Sequence, residues 1–217
     1  MPDWHAESFM NTAHITTLTA LRVLYSPASE RAQKKEISQL DVHATRFISL
    51  SPFVVLASSS AACDMDASPR GGDPAFVKGL DAHTLLIPDA PGNNRLDTLE
   101  NIVSTGRLGL IFLVPGVDET LRIYGRAVLS QDPADVQACA DARRSPVVAI
   151  RVTVESVYLH CAKALMRSHL WDSARHIERH TLPTMGEMLR DQIKAFKGET
   201  IEIESQAQML QRYTNSL

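Results

Sequence analysis

The chain has 217 residues, of which 44% are hydrophobic and 22% are charged, and this composition excludes wholesale disorder. A formal net charge of -3 argues against a general nucleic-acid binder, because phosphate contacts require an excess of Lys and Arg. No apolar run reaches the roughly 18 residues of a membrane span and the first residues show no signal-peptide pattern, so we expect a cytoplasmic protein without membrane association.

Two helices are predicted before the first strand. Apolar residues recur every three positions over residues 11–25, and at intervals of three and four over residues 28–50. Ser26-Pro27 separates the two segments, and Ser51-Pro52 ends the second. The chain therefore begins with a helical extension.

Five short segments that are mainly apolar, and one whose residues alternate in polarity (62–68), predict β-strands. They cover residues 52–58, 62–68, 83–88, 107–115, 120–129 and 146–159. Short turns, rather than regular helical crossovers, join most of them. We therefore expect a mainly β, α+β fold whose centre is a six-stranded antiparallel barrel, most simply a closed one.

Further helices are predicted between and after the strands. Asp97 is expected to cap a helix over 98–105 that Gly106 ends, and Asp132-Pro133 to open one that reaches Ala142. From Cys161 onward the pattern is helical, with breaks at Pro183 and Gly198. The expected organisation is one domain over 1–217, with a helical extension (1–50), a barrel core (51–160) and C-terminal helices (161–217).

The positions of the cysteines and histidines do not indicate a disulfide, a catalytic thiol or a metal site. Cys63, Cys139 and Cys161 lie far apart and form no CxxC pair, so we expect reduced thiols, with a catalytic cysteine left open. HIERH (176–180) places two imidazoles four residues apart on a possible helix, but no third ligand is evident and we predict no metal site. Motifs of serine hydrolases, P-loops and dinucleotide-binding folds do not occur.

Two loop elements contain residues suited to binding an anion. In GNNRLD (92–97), a glycine-containing loop leads into a helix, so free backbone N–H groups, two Asn side chains and Arg95 are expected to lie close together. In SPRGG (68–72), Arg70 precedes two glycines that permit a close approach to the backbone. An ordinary capped connection and a plain surface turn, with Lys78 solvated, explain these residues equally well.

Several segments together carry a resemblance to a known family. The segments are SPFVVLAS (51–58), CDMDASPRGGDPAFVK (63–78), HTLLIPDAPGNNRLDTLENI (83–102), GRLGLIFLVPGVDETLRIYGRA (106–127) and CAKALMRSHLW (161–171). They resemble the pyridoxamine 5′-phosphate oxidase-like, FMN-binding split-barrel flavoproteins, and in particular a bacterial branch of FMN-dependent enzymes of unknown substrate. The resemblance covers about residues 20–172.

The resemblance implies a homodimer with two FMN sites at the subunit interface. It places Ser68, Pro69, Arg70, Ile87 and Pro88 beside the flavin, Asn93, Asn94 and Arg95 at the phosphate, and Asn101 on the following helix. It brings Arg122, Lys163, Arg167 and Trp171 from the other subunit. Trp171 is a candidate to stack on the flavin, with a core position as the alternative. No catalytic side chain is nominated, because the cofactor itself carries the redox chemistry.

The sequence departs from the pyridoxamine phosphate oxidases at two places. Those enzymes carry two adjacent basic phosphate ligands in the region that corresponds to residues 93–98, whereas in this chain Arg95 is the only basic residue there. The C-terminal Arg–His signature of those enzymes cannot be recognised in this sequence. We therefore expect an FMN-dependent oxidoreductase that does not oxidise vitamin B6. The alternatives are a non-enzymatic flavin-binding or storage protein, and a haem-binding split barrel served by the histidines within 160–180.

Overall fold

The computed structural model describes residues 14–90, 92–141 and 145–215. The described residues form two compact units, one up to Ile37 and the other from Ser38 onward. In the first unit every described residue is exposed. The second unit holds the sheet, the core and the candidate site.

Eight α-helices and seven strands occur in the described residues, together with two short 3-10 helices at Ser173–Arg175 and Arg179–Thr181. The α-helices are α1 (Leu18–Val23), α2 (Glu30–Lys34), α3 (Val42–Leu50), α4 (Asp97–Thr105), α5 (Pro133–Cys139), α6 (Lys163–Ser168), α7 (Met185–Lys197) and α8 (Gln206–Thr214). The strands are β1 (Phe53–Ser59), β2 (Met65–Gly71), β3 (Lys78–Gly79), β4 (Thr84–Pro88), β5 (Arg107–Leu113), β6 (Thr120–Ser130) and β7 (Ala149–His160).

The N-terminal helices are shorter than predicted. The helix expected over 11–25 is α1, which begins after Thr17, while residues 11–13 lie outside the described ranges. The helix expected over 28–50 is two helices, α2 and α3. The reason is Asp41, whose carboxylate accepts a hydrogen bond from the Ala44 N–H at 2.7 Å and so begins a new helix.

The strands form one antiparallel sheet in the order β2-β1-β5-β6-β7-β4-β3. The mainly β, α+β prediction is confirmed, but the closed six-stranded barrel is wrong: the sheet is open and has seven strands. The additional strand, β3, has two residues, too few to show an alternating pattern. Because β2 pairs with β1 alone and β3 with β4 alone, the sheet ends at these two strands.

Strand β2 lies three residues later in the chain than the predicted segment 62–68. Ser68, Pro69 and Arg70 therefore belong to a strand, whereas local sequence indicated a loop from Pro69 onward. Proline is tolerated here because β2 is an edge strand, so only one of its sides is paired. The shift places the SPRGG element along the sheet edge.

The core of the second unit lies between one face of the sheet and helices α3 and α4. Its fully buried members come from the central strands: Val54, Leu56, Leu85, Ile87, Phe112, Ile123, Ile150 and Val152. On β5, Leu108, Leu110 and Phe112 are buried, while the alternate residues Ile111 and Leu113 are half-buried on the opposite face. The two faces of β5 are therefore both apolar, as its sequence indicated.

A buried carboxylate fastens α5 to the sheet. Asp135 accepts hydrogen bonds from the Ser130 hydroxyl at 2.7 Å and from Arg151 Nη1 at 2.6 Å. The Ser130 hydroxyl, and then the Arg151 guanidinium, hold the pKa of Asp135 below its usual value, although burial acts in the opposite direction. These contacts fix the first turn of α5 on the sheet, and Cys139 at the other end of this helix lines the candidate site.

Asp135→Asn is expected to lower the free energy of unfolding by about 1.5 kcal/mol at neutral pH, and Tm by about 3–6 °C. The value lies at the low end of the range for charged hydrogen bonds because solvent screens the half-exposed Arg151. Since the folded pKa is depressed, this contribution is complete above the unfolded pKa of about 3.9 and disappears as the pH falls through the folded value.

Thermal unfolding of Asp135→Asn and the unchanged protein across acidic and neutral pH checks this expectation. Glu119→Gln, which neutralises an exposed carboxyl, is the matched control. A Tm difference that persists unchanged at the lowest pH would show that the Asp135 charge does not stabilise the fold.

Candidate functional site

A cavity of about 690 Å³ lies beside the sheet edge formed by β2. Its wall is built from β2, the end of β4, the loop 92–96, the first turn of α4 and the segment that follows α5. These segments are far apart in sequence, and the cavity brings β2, at one edge of the sheet, together with β3 and the end of β4, at the other edge. The volume is within the range of about 300–1,000 Å³ typical of cofactor and ligand pockets.

Seven of the predicted site residues line this cavity. They are Ser68, Pro69, Arg70, Pro88, Asn93, Asn94 and Arg95. Two more lie behind its wall: Ile87 is fully buried in the core, and Asn101 is buried on α4. The SPRGG and GNNRLD elements, singled out separately in the sequence, thus face one space.

The four residues expected from a second subunit lie elsewhere in the chain and do not line this cavity. Arg122 is half-buried on β6, where its Nη1 donates to the Tyr158 hydroxyl at 3.4 Å. Lys163 and Arg167 are exposed on α6. Trp171 follows α6, and its indole N–H donates to the Val117 carbonyl at 3.0 Å. Their assignment to the partner's flavin stays a prediction.

The start of α4 differs from the prediction. Leu96, not Asp97, is the N-cap; it has a left-handed conformation (φ 57°) and supplies no side-chain cap. The Asp97 carboxylate does not cap the helix because it pairs with Arg95 Nε at 2.6 Å. The first turn of α4 therefore has no side-chain cap where it meets the cavity, an arrangement suited to an anion. The predicted end of the helix at Gly106 is confirmed.

A hydrogen-bond network behind the cavity holds α4 against the sheet. The Thr98 hydroxyl donates to Asp66 Oδ2 at 2.6 Å, and the Ser58 hydroxyl donates to the same oxygen at 3.4 Å. Asn101 Nδ2 donates to the Ser58 hydroxyl at 3.0 Å. Asn101 thus positions α4, and with it the loop 92–96, rather than lining the cavity.

Arg70 brings positive charge to the sheet side of the cavity. Its Nη1 donates to the Ser68 hydroxyl and to the Pro69 carbonyl, the latter at 3.0 Å. Lys78 also lines the wall and is half-buried, so it is not the fully solvated lysine that local sequence favoured. With Arg95, three cationic side chains line the cavity among the residues that the structure describes.

Several wall residues were not predicted from the sequence, and two of them, Asp89 and Cys139, have raised pKa values. Asp89 lines the cavity directly after Pro88, and burial raises its pKa while the nearby Arg70 acts in the opposite direction. Burial also raises the pKa of Cys139 to about 11, so this thiol remains protonated at neutral pH. The position of Asp89 immediately after a buried strand was the available signal, whereas nothing in the local sequence distinguishes Cys139.

The histidine-rich segment does not form the predicted helical pair. His176 is in extended backbone after one 3-10 helix and His180 lies within the next, so the two imidazoles are not one turn apart on a helix. Both are exposed. In the residues that the structure describes, no group of three or more His, Cys, Asp or Glu is placed to hold a metal ion.

Within the same described residues, no helix has the length and apolarity needed to cross a membrane.

Among solved structures, the chain is similar to HupZ of Group A Streptococcus, with 17% identity, coverage of 55% of this chain and 93% of that one, and a TM-score of 0.47. An FMN-binding protein from Syntrophomonas wolfei has 10% identity, coverage of 52% and 78%, and a TM-score of 0.41. General Stress Protein 26 from Bacillus anthracis has 10% identity, coverage of 54% and 94%, and a TM-score of 0.41.

No curated protein matches the chain significantly. The family model described as pyridoxamine 5′-phosphate oxidase matches residues 40–161, which is more than half of the chain. The matched range contains the sheet and the cavity wall, including all seven predicted residues that line the cavity. The chain therefore belongs to the pyridoxamine 5′-phosphate oxidase family.

Proposed function

We propose that this chain is an FMN-binding flavoprotein and an FMN-dependent oxidoreductase of unknown substrate. The observation that carries the proposal is the cavity beside β2, in which an anion-binding loop and apolar walls face the same space. FMN requires both, because it joins a doubly charged phosphate to a flat aromatic ring. The family membership of residues 40–161 supports the same cofactor.

The polar end of the cavity suits the phosphate. Asn93, Asn94 and Arg95 lie together on the loop before α4. Arg95 Nε is held by Asp97, which leaves the terminal guanidinium nitrogens available for phosphate oxygens. The backbone N–H groups at the start of α4 add a positive partial charge at the same end.

The remaining wall suits the ring and the linking chain. Pro69, Phe76, Pro88, Leu99 and Val147 supply apolar surface. Arg70 and Lys78 add positive charge that would balance negative charge on the ligand. When bound, FMN supplies hydride or electron-pair transfer at N5, and the protein's part is to position the substrate and exclude water.

The proposed active form is a homodimer whose interface completes each site. Arg122, Lys163, Arg167 and Trp171 do not line the cavity of their own chain, and in the proposed homodimer they contribute to the site of the other chain. Two-fold symmetry would give both sites the same partner residues. Vitamin B6 is not the proposed substrate, because Arg95 is the sole basic residue between positions 93 and 98.

Turnover distinguishes an enzyme from a storage protein with the same site. The FMN-loaded protein is expected to lose its visible flavin absorption on addition of NADH or NADPH faster than free FMN does, and to regain it when oxygen or a quinone is added. Free FMN at the same concentration is the control. Reduction and reoxidation no faster than those of free FMN, across both nucleotides and both acceptors, would contradict the oxidoreductase proposal and favour storage.

A further inference from the structure

The cationic side chains of the cavity differ in what they already contact. Arg95 Nε pairs with Asp97 at 2.6 Å, and the proposed function gives its terminal nitrogens to the FMN phosphate. Arg70 donates to the Ser68 hydroxyl, and its positive charge lies near the Asp89 carboxyl on the same wall. Both arginines are therefore engaged, by the protein or by the proposed cofactor, before a substrate enters.

Lys78 is the third cation and has no such partner. In the part of the chain that the structure describes, no carboxylate lies within ion-pair distance of its ammonium group. Its side chain is nevertheless half-buried. Asp73 and Asp141 also line the cavity, but both are exposed, so solvent screens their charges. A half-buried ammonium without a fixed counter-ion favours a ligand that brings a negative charge.

Lys78 belongs to the part of the wall near α5. On β3 it is paired with Leu86 of β4, and Leu86 packs with Cys139 in a small buried cluster. The Lys78 charge acts to lower the pKa of Cys139, against the larger effect of burial, so the ammonium lies near the thiol. The start of α4 is attached instead to Asp66 of β2, through the Thr98 hydroxyl. Lys78 and the proposed phosphate loop therefore belong to different parts of the wall.

The cavity is long enough to hold a second ligand group beyond the phosphate loop. Along β2, Arg70 lies about 13 Å from Asp66, and the wall continues past Arg70 towards β3. The Cys139 thiol adds no competing negative charge, because burial raises its pKa to about 11. The segment before β3 and the segment after α5 supply apolar side chains to this wall, which are Phe76, Ala140, Pro146 and Val147.

We propose that Lys78 is the subsite for a carboxylate group of the substrate, whose apolar body lies against the same wall. A carboxylate is favoured over a phosphate because the described wall offers one unpaired cation here, whereas a phosphate suits a set of several donors such as the loop 92–96. The substrate class is therefore an apolar carboxylic acid. The inference rests on the proposed function, in which FMN occupies Arg95.

Benzoate and benzamide test the proposal, because they share an aromatic ring and differ in charge. Calorimetric titration of the FMN-loaded protein measures both affinities. The unchanged protein is expected to bind benzoate about tenfold more tightly than benzamide, the lower limit for a charged hydrogen bond, since solvent screens a half-exposed ammonium. Lys78→Met is expected to abolish this preference and Lys78→Arg to retain it. Lys194→Met, which removes an exposed lysine of α7, is the matched control and is expected to change neither affinity.

Three results would overturn the subsite. One is equal affinity for benzoate and benzamide in the unchanged protein, a comparison that needs no variant to fold. Another is a preference that survives in Lys78→Met and disappears in Arg70→Ala, which would assign the anion to Arg70. The third is inorganic phosphate that binds more tightly than benzoate and depends on Lys78, which would replace the carboxylate by a phosphate.

FMN binding is measured before either probe is added, so that the two proposals fail separately. If FMN binds and benzoate is not preferred, the Lys78 subsite is wrong and the proposed function stands. If FMN does not bind to a folded protein, the proposed function is wrong, and the assignment of Lys78 to its substrate falls with it.

Discussion

Arg95→Ala is expected to weaken FMN binding about 10- to 150-fold while leaving riboflavin binding almost unchanged, since a charged hydrogen bond contributes about 1.5–3 kcal/mol. Riboflavin lacks the phosphate that the guanidinium is proposed to contact. The loss is expected near the lower limit, because the Arg95 side chain is 76% exposed and solvent screens its charge. Titration of the apoprotein with each ligand, followed by flavin fluorescence, measures the two affinities.

Two further variants test whether the effect on FMN binding is specific to Arg95. Arg107→Ala removes an exposed arginine remote from the cavity, whose partner Glu155 is still paired with Arg126, and is expected to change neither affinity. Asp97→Asn removes the negative charge that competes for Arg95 and is expected to strengthen FMN binding relative to riboflavin. Equal losses for FMN and riboflavin in Arg95→Ala would remove Arg95 from the phosphate role.

Chains carrying Arg95→Ala and Trp171→Ala, each defective alone, are expected to recover one intact flavin site per heterodimer when they are co-expressed. If Trp171 of one chain completes the cavity of the other, one site in the heterodimer contains both native residues and the second contains neither. Purification through two different tags isolates the heterodimer, and its flavin content per dimer is then measured by absorption.

A stoichiometry near one flavin per heterodimer, against two for the native dimer, supports sharing of the sites. The two parent homodimers, purified in the same way, show the loss that each substitution causes alone. A particle of about 24 kDa by light scattering that binds FMN at full strength would contradict the shared site.

Sequence patterns predicted the long strands β5, β6 and β7 well. Each of these strands is rich in apolar residues, and most of those residues are buried in the sheet. They failed where a tertiary contact decides the structure. The two-residue β3 exists only because β4 is beside it, and local sequence cannot show that pairing. The open sheet was missed for the same reason, since closure depends on how the edge strands pair.

In the candidate site, too, local sequence predicted some residues, whereas others depend on tertiary contacts. Residues in the two loop motifs were predicted because glycine, asparagine and arginine in a short loop indicate a recognisable chemistry, and seven predicted residues do line one cavity. The capping role of Asp97 was predicted wrongly because the ion pair with Arg95 competes with the backbone for its carboxylate. Asp89 could have been found from its position directly after a buried strand, whereas Cys139 reaches the cavity through the fold and not through a local pattern.

The most direct test of the central claim is the titration of purified apoprotein with FMN, monitored by the visible absorption and fluorescence of the flavin. The account predicts saturation at one FMN per chain with a dissociation constant of about 1 μM or tighter, a free energy of about -8 kcal/mol, and weaker binding of FAD. Failure to bind FMN in that range, by a protein whose thermal unfolding shows an intact fold, would contradict the assignment of the cavity to a flavin.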